Sequence, residues 1–387
     1  MNTLKRIFTE NIRQYSMLVA LIVIMVFFQI ITDGTLMKPL NLTNLILQNS
    51  YVVIMALGML LVIVAGHIDL SVGSVAAITG AIAAVLIIEM DINVGIAIVA
   101  CLLVGAAIGA VQGYFVAYIK IPAFIVTLAG MLIFRGLTLV LLRGQSIGPF
   151  PPEFQALSSG FIPDFFGGAE IHLTSIIIGV ALSALLVFLD WRSRQNQRKY
   201  NFEVSPFPIF VAKNVIISGA LTGLTVLLAS YNGLPNVLIV LFALIALYTF
   251  ITTQTVIGRR IYALGGNQKA AKLSGVNTER LTFYTFINMG VLAAFAGLII
   301  TARLNSATAK AGTGFELDAI AATFIGGASA TGGIGTVIGA VIGAFIMGVM
   351  NNGMSIVGVA IDWQQAVKGM VLLLAVFFDV YNKNKGS

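Results

Sequence analysis

From Pro39 to Gly66 the sequence contains no Asp, Glu, Lys or Arg, and the same holds from Ile92 to Ile119. Each run exceeds the roughly 20 residues that a helix needs to cross a hydrocarbon core. Only 10% of the 387 residues are charged, against about 25% in a soluble domain. Hydrophobic residues make up 58%, and mean hydropathy is +0.99. Such a chain cannot clothe a water-facing surface, so a soluble globular protein and a disordered chain are both excluded. The 40 glycines lack a three-residue period, which excludes collagen and points to close helix–helix contact. The expected fold is an all-α polytopic membrane protein.

Apolar runs bounded by charge or turn residues predict spans at 16–32, 44–66, 72–88, 93–118, 123–142, 172–190, 207–229, 235–256, 281–301, 315–330, 334–352 and 363–381. That makes about twelve, in a single transmembrane domain over residues 1–387. The glycines at 326, 327, 332, 333 and 335 make 315–330 and 334–352 candidates for short or re-entrant pieces. Lys5, Arg6 and Arg13 precede the first run. It is longer than a signal-peptide core and no A-x-A-like site follows, so it reads as a span.

The net charge of +7 would suggest nucleic acid in a soluble protein. Here it fits basic loops held on the cytoplasmic side, with no nucleic-acid partner. With the N-terminus inside, Lys120, the Arg192/Arg194/Arg198/Lys199 group, the Arg259/Arg260/Lys269/Lys272/Arg280 group and Lys383/Lys385 all fall in the cytoplasm. Asp33, Glu89, Asp91, Glu153, Asp164, Glu170, Glu316, Asp318 and Asp362 fall outside. Both termini are then cytoplasmic. Two loops are long, an external one at 144–171 and a cytoplasmic one at 258–280. No GxxxxGK[ST] occurs, so the chain holds no P-loop ATPase site. His67 and His172 are the only histidines and Cys101 the only cysteine, which leaves no set for metal, disulfide or Ser/His/Asp chemistry.

Four constellations stand out. Residues 66–73 (GHIDLSVG) leave almost no loop between two apolar runs. Asp69 there either caps the next helix, with Ser71 and the glycines shaping a tight reversal, or lines a polar break in a translocation path. In 265–275 (GGNQKAAKLSG), Asn267 is a good N-cap and Gly275 a good C′ residue. The intervening two turns are too short to persist alone. Ala270 and Ala271 offer close approach and Lys269 and Lys272 a positive rim, so this is either a solvated basic turn or a docking element. Gly105/Gly109/Gly113 and Gly335/Gly339/Gly343 each read as a smooth helix stripe for packing. Phe315, Glu316 and Asp318 follow Gly312 and Gly314. These carboxylates either favour a helix N-terminus, or form an external gate or a contact for a soluble partner. Arg135, inside the fifth run, needs a partner or an aqueous path. Asp69 follows a span running inward and Asp318 one running outward, which suggests two halves of inverted topology.

With these residues in view, the chain resembles the permease subunits of bacterial ABC importers for ribose, galactose, xylose and related monosaccharides. The matching pieces are GHIDLSVG (66–73), PAFIVTLAGMLIFRG (122–136), GRRIYALGGNQKAAKLSGVNTER (258–280) and ELDAIAATFIGGASATGGIGTVIGAVIG (316–343). The extra material around 190–231 is similar to that of the xylose and multiple-monosaccharide permeases. The run 32–73 and the loop after Gly144 favour the latter. A ten-helix core with an added pair is what the resemblance implies. It implies that 258–280 is the coupling loop for a separate ATPase, with Arg259, Arg260, Tyr262, Gly265, Gly266, Asn267, Ala270, Ala271, Ser274 and Gly275 as docking residues. Ala270, Ala271 and Gly275 match the E-A-A-x3-G pattern, while Lys269 stands in the Glu place. Asp69, Ser71, Phe124, Thr127, Phe315, Glu316 and Asp318 are expected along the path or its gate.

The resemblance further implies a second permease copy, a periplasmic or lipid-anchored sugar-binding protein and a bacterial inner-membrane location. ATP and Mg would be bound by the partner, with no cofactor in this chain and no catalytic residue. An ion- or proton-driven secondary transporter is the main rival, and its spans would need carboxylate or His relays. A membrane enzyme would need a convergent catalytic set.

Overall fold

The computed structural model describes residues 12–167, 171–200, 202, 204 and 206–386. Lys5, Arg6 and Glu170 lie outside the described residues. The helices are α1 (Ile12–Ile31), α2 (Pro39–Val64), α3 (Val72–Ala84, continued by a π-turn over Val85–Glu89), α4 (Val94–Ala117), α5 (Ala123–Leu142), α6 (Pro152–Gln155), α7 (Leu173–Lys199) and α8 (Phe207–Ala229). Then follow α9 (Asn236–Gln254), α10 (Val256–Gly266), α11 (Gln268–Leu273), α12 (Thr278–Leu304), α13 (Phe315–Ile325), α14 (Val337–Val357) and α15 (Ile361–Gly386). Among the described residues ten helices are long and apolar enough to cross a membrane, and a shorter apolar helix covers Ser16–Ile31.

Local chemistry sets many of the starts. Side chains of Asn93, Thr255, Asn267, Asn277 and Thr336 accept N–H groups that the first turns of α4, α10, α11, α12 and α14 leave open. Pro122, Pro206 and Pro235 precede α5, α8 and α9, where a missing N–H costs nothing.

Two helices form the centre. Nearly every residue of α2 is buried, and α12 packs on α2, α3 and α4. The α4–α12 crossing rests on the first glycine stripe. A Cβ on Gly105 would collide with Gly290, on Gly109 with the Phe286 carbonyl, and on Gly113 with Phe283. Gly339 and Gly343 do the same for α13 against α14, facing Gly326 and Ala322. Gly335 does not belong to that stripe. It precedes α14 and packs against Leu60 and Val64. Four-residue glycine spacing runs on through loop and helix alike, which is why the sequence overextends it.

The segment 315–325 is a half-helix. Its 11 residues reach about 16 Å, half of a ~30 Å hydrocarbon core. By contrast α14, with 21 residues, is long enough to span. Gly327, Gly332 and Gly333 have φ of +82°, +80° and +74°, so the chain leaves α13 in a left-handed loop. α3 likewise starts inside the protein. Its Ala76 faces Gly297 of α12, seven residues short of the Leu304 end, and Gly73 lies about one turn deeper. There Gly73 meets Gly312 backbone to backbone. The break between α2 and α3 and the break between α12 and α13 therefore meet near mid-depth. This is the inverted arrangement that Asp69 and Asp318 foreshadow.

Two ends are distinct. At one, Lys120 and Lys272 both pair with Glu279, at 3.4 and 3.0 Å, joining the α4–α5 turn to the 258–280 loop. At the other, residues 144–167 fold over the bundle through bridges Ile147–Ala307 and Phe161–Pro235. Phe154, fully buried, and Phe150, stacked on it at 4.4 Å, anchor that loop.

Candidate functional site

The first break runs from Ala65 to Ser71. The Asp69 carboxylate, buried, accepts the Ser71 N–H at 2.8 Å and the Ser71 hydroxyl at 2.7 Å. Gln112 of α4 donates its amide to the same hydroxyl oxygen at 2.9 Å. Ser71, not Asp69, occupies the N-cap position of α3, and Asp69 stabilises the turn one step earlier. The His67 ring lies 5.9 Å from that of Phe286.

The second break carries full charges. Glu316 takes Arg135 of α5 at 3.1 Å, and Asp318 takes Lys368 of α15 at 2.9 Å. The Tyr51 hydroxyl donates to Asp318 at 3.5 Å, and its ring stacks on Phe315 at 3.9 Å. The second Glu316 oxygen is buried without a hydrogen-bond partner and lies against Gly73. Glu316 and Asp318 are thus core residues, not residues of an outer loop. The residues before α13 fold inward and carry both side chains below the surface, which hydropathy does not reveal. A buried carboxylate needs a cation or several donors, and these find cations on helices far away in sequence.

Two other expected path residues stand on α5. Phe124 points outward from α5, and the Thr127 hydroxyl is spent on the Ala123 carbonyl at 2.9 Å. Gln112, Tyr51 and Lys368 belong to the centre and were not singled out by sequence. Lys368, a lone cation inside a predicted span, carried the same cost signal as Arg135. Among the described residues no group of His, Cys, Asp or Glu could hold a metal ion.

A second candidate surface lies at the Lys120/Glu279 end. Thr255 caps α10 through the Gly258 N–H. Gly258 has no room for a Cβ against the Ile251 carbonyl, so α10 turns sharply off α9. Arg259 and Arg260 are exposed. The Tyr262 hydroxyl donates to the Gly335 carbonyl at 2.8 Å, and burial pushes its pKa up, keeping it a neutral donor. Gly265 packs directly on the Val64 carbonyl and on Gly333, whose N–H donates to Val64 at 2.9 Å. Gly266 also lies against Gly333.

Asn267 caps α11 through the Ala270 N–H at 3.0 Å. The Ser274 hydroxyl returns to the Ala270 carbonyl, and Gly275, at φ +81°, closes the helix. The paired-alanine face divides. Ala271 is buried within the chain, while Ala270 is exposed. Beside them Leu273 is 90% exposed.

Long apolar helices, two breaks meeting at a charged centre and an exposed capped helix at one end define a polytopic membrane protein with broken-helix architecture. The family model described as "Branched-chain amino acid transport system / permease component" matches residues 41–376. The chain belongs to this family of transport permeases. It is 40% identical over 375 residues to the xylose transport system permease protein of Haemophilus influenzae, covering 97% of this chain and 98% of that one. The corresponding protein of Escherichia coli strain K12 is 39% identical, covering 97% and 93%. The ribose import permease protein of the same strain is 38% identical over 341 residues, covering 88% and 85%. No solved structure matches.

Proposed function

We propose that this chain is the permease subunit of an ATP-binding-cassette importer that moves monosaccharides across a bacterial inner membrane. The observation that carries this reading is the near end-to-end likeness to xylose and ribose permeases. The capped, exposed helix α11 supports it. Six residues do not form a stable helix alone, and Leu273 has no cover of its own. A separate ATPase subunit, which binds ATP and Mg, supplies both the cover and the energy.

In this reading the basic end is cytoplasmic. A sugar-binding protein delivers its load to the end capped by residues 144–167. Two copies of the permease enclose the path, and Asp69, Glu316 and Asp318 set its changing walls. ATP binding by the partner draws the α10–α11 elements together and switches the permease between outward- and inward-open states.

The test is co-expression with an ATPase subunit and a sugar-binding protein. Ala271 is internal, so a clean docking lesion uses Ala270→Trp with Leu273→Glu. The variant inserts normally, loses the ATPase subunit on purification and takes up no sugar. Retention of the ATPase and parental uptake would show that α11 is not the docking element.

A further inference from the structure

The α7–α8 hairpin carries a feature that transport by the two breaks does not use. Between the last turns of α7 and the end of α9 lies a cleft of about 770 Å³. Hydrogen-bond donors line it, from Arg192 and the amides of Asn196, Gln197 and Gln254. Tyr200, Phe202 and Leu189 add apolar surface to the lining. Among its described lining residues none carries a negative charge. The nearby Asp190 is already bound by Lys213 at 2.7 Å and by Asn214 at 2.8 Å. Arg194 is turned away, 4.8 Å from the Phe210 ring centre, where it fastens the hairpin. Arg198 and Lys199 stand exposed beside the cleft.

Next to the cleft the two helix faces become apolar. Leu185 and Leu186 continue the α7 face one turn down, and Leu247 and Phe250 continue the α9 face, all four exposed. A groove with cationic donors and an adjoining apolar shaft matches one molecule in a membrane. We propose that it binds an anionic phospholipid. The phosphate oxygens take the Arg192 fork and the amides, the acyl chains lie along the shaft, and Tyr200 sits at headgroup level. A free phosphate would have no use for the shaft, and a zwitterionic headgroup would bring its own cation to Arg192.

The experiment is native mass spectrometry on the purified full-length chain, titrated with phosphatidylglycerol or phosphatidylcholine. The intact protein should retain phosphatidylglycerol preferentially. Arg192→Gln should weaken that retention about fivefold, the worth of one cation near an anionic headgroup. Asn196→Leu should weaken it too, while Arg280→Gln should not. Circular dichroism and gel filtration check that each variant is folded. Equal retention of phosphatidylcholine, or unchanged retention in both cleft variants, would overturn the assignment. So would displacement by millimolar inorganic phosphate, which marks a simple anion site, or by added ATPase subunit, which gives the cleft to a protein.

Discussion

Asp69, in the break between α2 and α3, is held by Ser71 two residues further along, and Gln112 steadies that serine. Glu316 and Asp318, at the start of α13, are held by Arg135 from α5 and Lys368 from α15. The first break satisfies its carboxylate locally and with neutral groups. The second draws on full charges carried by separate helices. A local neutral turn keeps its partners when helices slide, whereas an ion pair between helices ties their positions together. The α2–α3 break thus has the build of a pivot, and the α13 start that of a latch fastened to α5 and α15.

Breaking the latch should have the largest effect. Lys368→Met leaves Asp318 buried and unpaired, which costs about 3–5 kcal/mol. Thermal unfolding in detergent should show a large drop, and Lys368→Met with Asp318→Asn should recover most of it. No recovery in the double variant would mean that the pair is not a unit. At the pivot, Asp69→Ala strands the Ser71 N–H, for about 1–3 kcal/mol. Asp69→Asn keeps the acceptor and should lose far less, in stability and in uptake. Equal loss for Asn and Ala would make the negative charge the working feature, and the contrast between the breaks would fail.

Arg135→Gln should cost less, about 1 kcal/mol, because the Arg135 side chain is 37% exposed and solvent weakens the pair. Uptake should fall more than stability does, since the latch opens while the fold remains. Smallest of all is Tyr51→Phe. It removes one long hydrogen bond worth about 0.6 kcal/mol and keeps the ring stacked on Phe315. A melting-temperature change as large as that of Lys368→Met would place the hydroxyl, not the lysine, at the heart of the latch.

The legibility of these features follows their range along the chain. The Gly105/Gly109/Gly113 stripe and the caps at Asn267 and Gly275 are local patterns, and the structure places them as read. Spans follow hydropathy, so most of their ends could be read too, but the sequence counts about twelve where ten of the described helices are long and apolar enough to cross. The Arg135–Glu316 pair joins residues 181 positions apart, and nothing at either one names the other. Sequence showed only that each needed company. The inward fold of 305–314 escaped because hydropathy cannot tell a polar segment in water from one lining a protein interior. That single turn of the chain moves Glu316 and Asp318 from the surface to the core. The divided roles of Ala270 and Ala271 depend on how α11 rolls against its neighbours, which no local rule fixes.

The junction of Gly265, Val64 and Gly333 has a mechanical meaning. Three stretches of main chain touch there, with no side chain between Gly265 and the Val64 carbonyl. Side chains are the compliant layer of a protein, because rotamers can yield before backbones move. Here that layer is missing, so the joint has little play. Val64 ends the helix that leads to Asp69, and Gly333 lies in the loop that leaves α13. A displacement of α10 would therefore reach the end of α2 and the loop after α13 together, as a stiff linkage delivers one stroke to two arms.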